Sequence, residues 1–230
     1  MSDDLTMIKE NLERIRATVP TGTRLVAVSK TKPVEDLRAA YEAGQRVFGE
    51  NKALEMRDKH EVLPKDIEWH FIGHLQSNKI KYIVPFVSLI HSIDSLPLLQ
   101  AVEKEAAKHG RVVDSLLQFH IATEETKFGL NLAEAEELLS HRAEMPHVRL
   151  VGVMGMATNT DDQALIRSEF RTLKGVFDLL KGRYFADRPE FCEISMGMSG
   201  DYPIAIEEGS TLVRVGSSIF GARNYAKVND

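Results

Sequence analysis

The chain has 230 residues, with 29 Lys and Arg against 34 Asp and Glu, a formal charge of −5. Apolar residues make up 43% and charged residues 27%, which is ordinary globular composition and excludes a disordered chain. The acidic balance carries no basic block and argues against nucleic acid as a partner, and the single cysteine, Cys192, excludes an internal disulfide and suits a reducing cytosol.

The first residues, Met1-Ser2-Asp3-Asp4-Leu5-Thr6, have neither a basic n-region nor an apolar h-region. No apolar run is long enough to span a bilayer. The expectation is a cytoplasmic protein with no membrane partner.

Leu5, Ile8, Leu12 and Ile15 fall at helical spacing and predict an amphipathic helix ahead of the first strand, ended by Pro20-Thr21-Gly22. Leu25-Val26-Ala27-Val28 is a continuous apolar run and predicts a strand covered on both faces. Pro33 suits the first helical position, with Glu35 and Asp36 in the first turn, and Gly44 stops that helix. A strand at 46–48, a helix over 52–62, a strand at 68–72, a helix over 77–84 and a strand at 87–90 follow. Asp94 or Ser95 caps a helix that ends at Gly110. A strand lies within 112–121, and Asn131 opens a helix over 131–143. Val148 to Val153 reads as a strand, and Ile166, Phe170, Leu173, Phe177 and Leu180 mark a long helix ending near Gly182. Phe191 to Ile194 is a strand, 201–207 a short helix stopped by Gly209, and Thr211 to Val215 the last strand.

No linker, low-complexity segment or repeat interrupts this series, so residues 1–230 read as one domain. Strands that alternate with helices imply a parallel sheet with right-handed crossovers. Eight such units in 230 residues match an α/β fold of one kind, a single (β/α)8 TIM barrel, here with an extra N-terminal helix. A doubly wound open sheet would carry a glycine-rich turn after its first strand, where this chain has Ser29-Lys30-Thr31-Lys32-Pro33.

In a barrel the chemistry sits at the C-terminal ends of the strands. Those ends carry Ser29-Lys30, Gly49-Glu50-Asn51, Gly73-His74, His91-Ser92, Thr123, Gly155-Met156, Ser195 to Ser199 and Gly216-Ser217-Ser218. Lys30 follows the most apolar strand. Desolvation there would lower its pKa and free its lone pair for a Schiff base with an aldehyde, whereas a lysine leaning into water would do neither. Lys32 reads as the solvated one. Residues 197–200 and 216–218 follow the last two strands and open helical turns, where backbone N–H groups suit a phosphate; two ordinary Gly/Ser turns are the alternative. Arg214 lies between Val213 and Val215, so valines packed on helices would send its guanidinium into the barrel. There it needs either a carboxylate or a cofactor ring nitrogen. His70 and His74 lack a third ligand, so no metal is expected. Cys192, beside Phe191, reads as a core thiol. His70, Met154 and Met198 are further candidates for lining a pocket, with core packing as the other reading of the methionines.

Ala27-Val28-Ser29-Lys30-Thr31-Lys32, Phe48-Gly49-Glu50-Asn51 and the run from Trp69 to Lys79 resemble the pyridoxal phosphate homeostasis family. So does Ser195-Met196-Gly197-Met198-Ser199-Gly200-Asp201, continuing through Ala205-Ile206, Gly209-Ser210-Thr211 and Val213 to Gly216, then Ile219-Phe220-Gly221-Ala222-Arg223. The resemblance implies a barrel similar to the N-terminal domain of alanine racemases (fold type III of pyridoxal phosphate proteins). It implies pyridoxal 5′-phosphate held as a Schiff base on Lys30, with Arg214 facing the pyridine nitrogen. Ser199 and the backbone of Gly216 and Ser217 would hold the phosphate, and Asn51 would lie beside the ring. Two positions depart from the family pattern: Lys52 after the Gly-Glu-Asn triplet, and His120 where the fifth strand usually ends in Asn.

The implied role is intracellular vitamin B6 and amino-acid homeostasis without catalytic turnover, with pyridoxal phosphate-dependent apoenzymes as candidate recipients. Two enzymatic alternatives use the same residues. An amino-acid racemase needs a second base opposite Lys30, which in alanine racemases comes with a C-terminal β domain. The eight units here extend to Gly221, so the expectation is no such domain, and a monomer. A Schiff-base aldolase acting on a sugar phosphate would use the lysine and the phosphate loops without a bound chromophore.

Overall fold

The computed structural model describes residues 3–125 and 128–222, so Arg223 of the last motif lies outside the described residues. Eight parallel strands close into a barrel in sequence order. They are β1 (Arg24–Val28), β2 (Val47–Glu50), β3 (Glu68–Phe71), β4 (Leu89–Ile93), β5 (Val113–Phe119), β6 (Val148–Gly155), β7 (Glu193–Ser195) and β8 (Leu212–Val215). The helices are α1 (Asp3–Arg16), α2 (Val34–Glu42), α3 (Ala53–Val62), α4 (Ile80–Ile83), α5 (Leu96–Lys108), α6 (Leu132–Ser140), α7 (Gln163–Tyr184), α8 (Tyr202–Glu207) and α9 (Ser217–Phe220). The open-sheet alternative is thereby excluded. None of these helices is long and apolar enough to cross a membrane.

The pleat of each strand divides the core in two. Leu25, Ala27, Phe48, Trp69, Val213 and Val215 pack outward with the helices. Val26, Leu89, Leu116, Val151, Met154 and Leu212 fill the inside of the barrel. Outside the ring, α1 buries Ile8, Leu12 and Ile15, and its Asn11 Nδ2 donates to Ile219 O at 3.0 Å, which ties it to α9.

Local chemistry sets the element ends. Asn131 and Glu134 form a reciprocal capping box that starts α6. Of the two candidates before α5, Ser95 is the cap, accepting from Leu98 N at 3.2 Å. Pro33 stands one position before its expected place, as the cap of α2. Residues 77–84 split into a 3-10 turn, Ser77–Lys79, and the short α4. β4 starts two residues later than expected and continues to Ile93, so His91 and Ser92 lie inside the strand and are buried. Cys192 is a clear correction: it is exposed, not a core thiol. Phe191 takes the helix-facing side and stacks on Phe185 at 4.1 Å, which turns Cys192 the other way.

Gly152 carries a bulge in β6 that no other residue fits. Its φ is +155°, and a Cβ there would lie 1.8 Å from Glu193 O on β7. Gly152→Ala should destabilise the protein by about 2 kcal/mol or more in urea unfolding. Gly175→Ala in α7, where a Cβ meets nothing within 4 Å, should instead stabilise it by about 1 kcal/mol or less. Equal effects at the two glycines would mean that the bulge is not a constraint.

Candidate functional site

A cavity of about 360 Å³ opens at the C-terminal ends of the strands. Lys30 enters it after β1, Asn51 after β2, and Met198 and Ser199 after β7, with Arg214, Gly216 and Ser217 from β8 and the turn beyond it. His70 and Met154 do not line it. Met154 belongs to the apolar filling of the barrel, and His70 is buried below the cavity and lines a separate one at the opposite mouth.

The lining residues not singled out in the sequence as binding residues include Gln118, His74 and Phe128. Gln118 enters from β5 and donates Nε2 to Phe128 O at 3.3 Å. Period-two alternation from Leu116 would have found it. His120 is exposed beyond the strand end, so Gln118 and not His120 is the β5 residue of the cavity. His74 and Phe128 stack at 4.1 Å between ring centroids, and both line the cavity. A lone phenylalanine in a polar loop gives no periodic signal.

The loop bearing Lys30 is held from both sides by one buried charge cluster. Lys59 Nζ donates to Ser29 O at 2.8 Å, to Glu50 Oε1 at 2.7 Å and to Glu55 Oε1 at 2.8 Å. Ser29 Oγ donates to Glu50 Oε1 at 2.7 Å, and Thr31 N donates to Glu55 Oε1 at 2.6 Å. Thr31 has φ +65°, which a β-branched residue adopts only under constraint. Lys30 itself is half-buried between these pinned neighbours. Lys32 is not the solvated lysine expected from sequence. Its Nζ donates to Phe220 O at 3.2 Å and Ala222 O at 3.0 Å, stitching the β1 loop to the end of α9.

The loops after β7 and β8 are joined as well. Arg214 N donates to Gly197 O at 2.8 Å, and Gly216 N donates to Ser199 Oγ at 3.2 Å. A Cβ on Gly216 would lie 3.1 Å from both Val28 Cβ and Val28 O, so a side chain there would press on the end of β1.

Arg214 is buried, and its neighbours Val213 and Val215 face the helices. Its guanidinium donates to Ser195 Oγ and, at 3.2 Å, to Gly155 O. Among the described residues it forms no ion pair with a carboxylate. Burial pushes it down to about 10, against an opposing pull from Asp201, so it remains a cation at neutral pH. Asn51 Oδ1 is buried and, among the described residues, has no hydrogen-bond partner. The cavity therefore offers a lysine, a donor-only cation, an orphaned acceptor and a hydroxyl–amide pair. This is a set for an anionic, carbonyl-bearing ligand with polar edges.

Glu50 gives this region a pH signature. Burial pushes its carboxyl up from 4.5 to about 7, against the pull of Lys59. Between those values the folded chain holds a proton that the unfolded chain releases, so its contribution to stability falls as pH rises through that window. Glu50→Gln removes this slope. Wild-type stability minus variant stability should drop by about 3 kcal/mol from acidic to mildly alkaline pH. Chemical denaturation across the range measures it, and a constant difference would exclude Glu50 as the titrating group.

Residues 4–224 match the family model described as alanine racemase, N-terminal domain. A pyridoxal phosphate homeostasis protein of Aquifex aeolicus is 40% identical over 203 residues, 88% of each chain. The structure of PipY from Synechococcus elongatus with PLP bound superposes with a TM-score of 0.84 at 34% identity, over 93% of this chain and 100% of that one. An alanine racemase from Bartonella henselae, with covalently bound pyridoxal phosphate, gives 0.73 at 17% identity over 98% of this chain and 61% of that one, a likeness of fold.

Proposed function

The chain belongs to the alanine racemase N-terminal-domain family, within the pyridoxal phosphate homeostasis proteins, and from that membership we propose that it holds pyridoxal 5′-phosphate covalently on Lys30 for vitamin B6 balance without turnover. The observation that carries this reading is the single cavity in which Lys30, Arg214, Ser199 and Gly216 converge from opposite ends of the chain. The residues present fit the ligand. Lys30 is the amine for the aldehyde, and the donor-only Arg214 suits an unprotonated ring nitrogen. Ser199 with the first amides of α9 suits the phosphate, and the orphaned Asn51 Oδ1 supplies an acceptor beside the ring. When bound, the cofactor supplies an electrophilic aldehyde and a ring able to withdraw electrons. Arg214 keeps its own protons at neutral pH and so offers the ring nitrogen a hydrogen bond and no proton. That limits the ring as an electron sink and narrows the chemistry a bound cofactor could perform, without deciding between a carrier and a racemase. The cavity mouth runs beside the exposed Met198 and Phe128, which supports exchange of the cofactor with apoenzymes. A cytoplasmic, monomeric, single-domain protein belongs to the same proposal.

Borohydride reduction of protein loaded with pyridoxal phosphate, followed by peptide mapping, should label Lys30. Lys30→Ala should abolish the label, and a label on Lys32 or Lys79 would overturn the assignment. Gly216→Val, by forcing the β8 turn away from Val28, should weaken binding at least tenfold, about 1.4 kcal/mol. Pyridoxal without phosphate should bind far more weakly, and equal affinity would remove phosphate recognition from the proposal.

Turnover is tested by following α-proton exchange of each common L-amino acid in heavy water with the loaded protein. Negligible exchange is the expected result. Rates of roughly 1 per second or more, ordinary for enzymes, would favour the racemase.

A further inference from the structure

A line of buried polar side chains runs down the barrel axis from the cavity floor. Arg214 is 3% exposed, Ser195 and His91 0%, and His70 1%. Arg214 Nη1 donates to Ser195 Oγ, Ser195 Oγ meets His91 Nδ1 at 2.8 Å, and His91 Nε2 meets His70 Nδ1 at 2.9 Å. His70 also lines a cavity of about 410 Å³ at the opposite mouth, among Glu68, Asp114 and Glu193. None of Ser195, His91 and His70 lines the upper cavity.

We infer that Ser195, His91 and His70 are positioning residues for Arg214: a one-way hydrogen-bond chain that presents Ser195 Oγ to the guanidinium as an acceptor and leaves the remaining guanidinium donors for the upper cavity. The inference rests on the proposed binding of pyridoxal phosphate for its purpose, though not for its geometry.

The direction of the chain follows from donor counting. A guanidinium only donates. Ser195 Oγ therefore accepts from Arg214, and its own hydrogen needs an acceptor. Among the described residues the one other group bonded to Ser195 Oγ is His91 Nδ1, so the hydroxyl donates there. His91 then carries its proton on Nε2 and donates to His70 Nδ1, which leaves His70 protonated on Nε2. The reverse order would put a hydrogen on His91 Nδ1 and leave a buried hydroxyl hydrogen with nothing to bond, at about 1–3 kcal/mol. Both rings are neutral. Burial, aided by the Arg24 charge, pushes His70 down to about 3, and His91 lies well below its usual range, with burial first among its causes. Two neutral imidazoles back the Ser195 hydroxyl that Arg214 bonds, without placing an anion in the chain.

The test begins on protein free of cofactor. Two-bond proton–nitrogen correlation on histidine labelled with nitrogen-15 reads which ring nitrogen is protonated. The expected result is Nε2–H on both His91 and His70 at neutral pH, and Nδ1–H on His91 overturns the inference. In a second arm, Ser195→Ala should shift the His91 tautomer and weaken pyridoxal phosphate binding roughly fivefold. His91→Leu should do likewise, while His91→Gln, which keeps one acceptor and one donor, should stay within about twofold of wild type. Unchanged affinity in Ser195→Ala, with Lys30 still labelled by borohydride, would overturn the positioning role and leave the proposed function intact. Failure of wild type to label at Lys30 would strike the proposed function alone, since the histidine spectra decide the direction of the chain without any ligand.

Discussion

Pairing of β1 with β8, Arg24 to Ala27 against Leu212 to Val215, is the contact on which the site depends. It closes the barrel and brings the loop after β1 beside the turn after β8, so that Lys30, Gly216 and Ser217 share one cavity. The same register sends Val26 and Arg214 inward together while Ala27, Val213 and Val215 pack on helices. The seam is reinforced twice. Asn11 of α1 holds Ile219 from outside, and Lys32 holds the carbonyls of Phe220 and Ala222 from above.

Barrels of this kind usually fill their interior with layers of branched apolar side chains. Here the apolar filling shares the interior with His70, His91, Ser195, Gln118 and Arg214. Burying such groups is costly unless each is bonded; the axial chain bonds four of them in sequence, and Gln118 donates to Phe128 O. The arrangement gives up core stability to hold a guanidinium that, among the described residues, forms no ion pair with a carboxylate. The cluster under Lys30 makes a similar exchange. Among the described residues Glu50 keeps one buried oxygen without a partner, while Lys59 fixes the backbone on which Lys30 stands.

Much of the fold was legible in the sequence because its signals are local. Continuous apolar runs marked strands covered on both faces, and Asn131 with Glu134 marked a helix start that needs nothing from the rest of the chain. The site was partly legible for the same reason: Lys30, Ser199 and Gly216 sit at strand ends that topology alone brings together. What escaped depends on neighbours distant in sequence. Hydropathy could not tell that β4 begins at Leu89 instead of Val87, and that shift turns His91 from a strand-end candidate into an interior group. The exposure of Cys192 follows from which side Phe191 takes. The role of Lys59 rests on carboxylates and a carbonyl brought to it from β2, α3 and the turn after β1.

The seam between the first and last strands also has a meaning in time. A chain emerging from the ribosome presents Lys30 early, but Arg214 and Gly216 arrive only with β8, after almost every other element has been made. Contacts so distant in sequence cannot form before the last strand has been made. A nascent chain, or one clipped before β8, would expose the lysine with no cradle opposite it. Retention of a ligand by all of these residues together therefore requires a closed barrel.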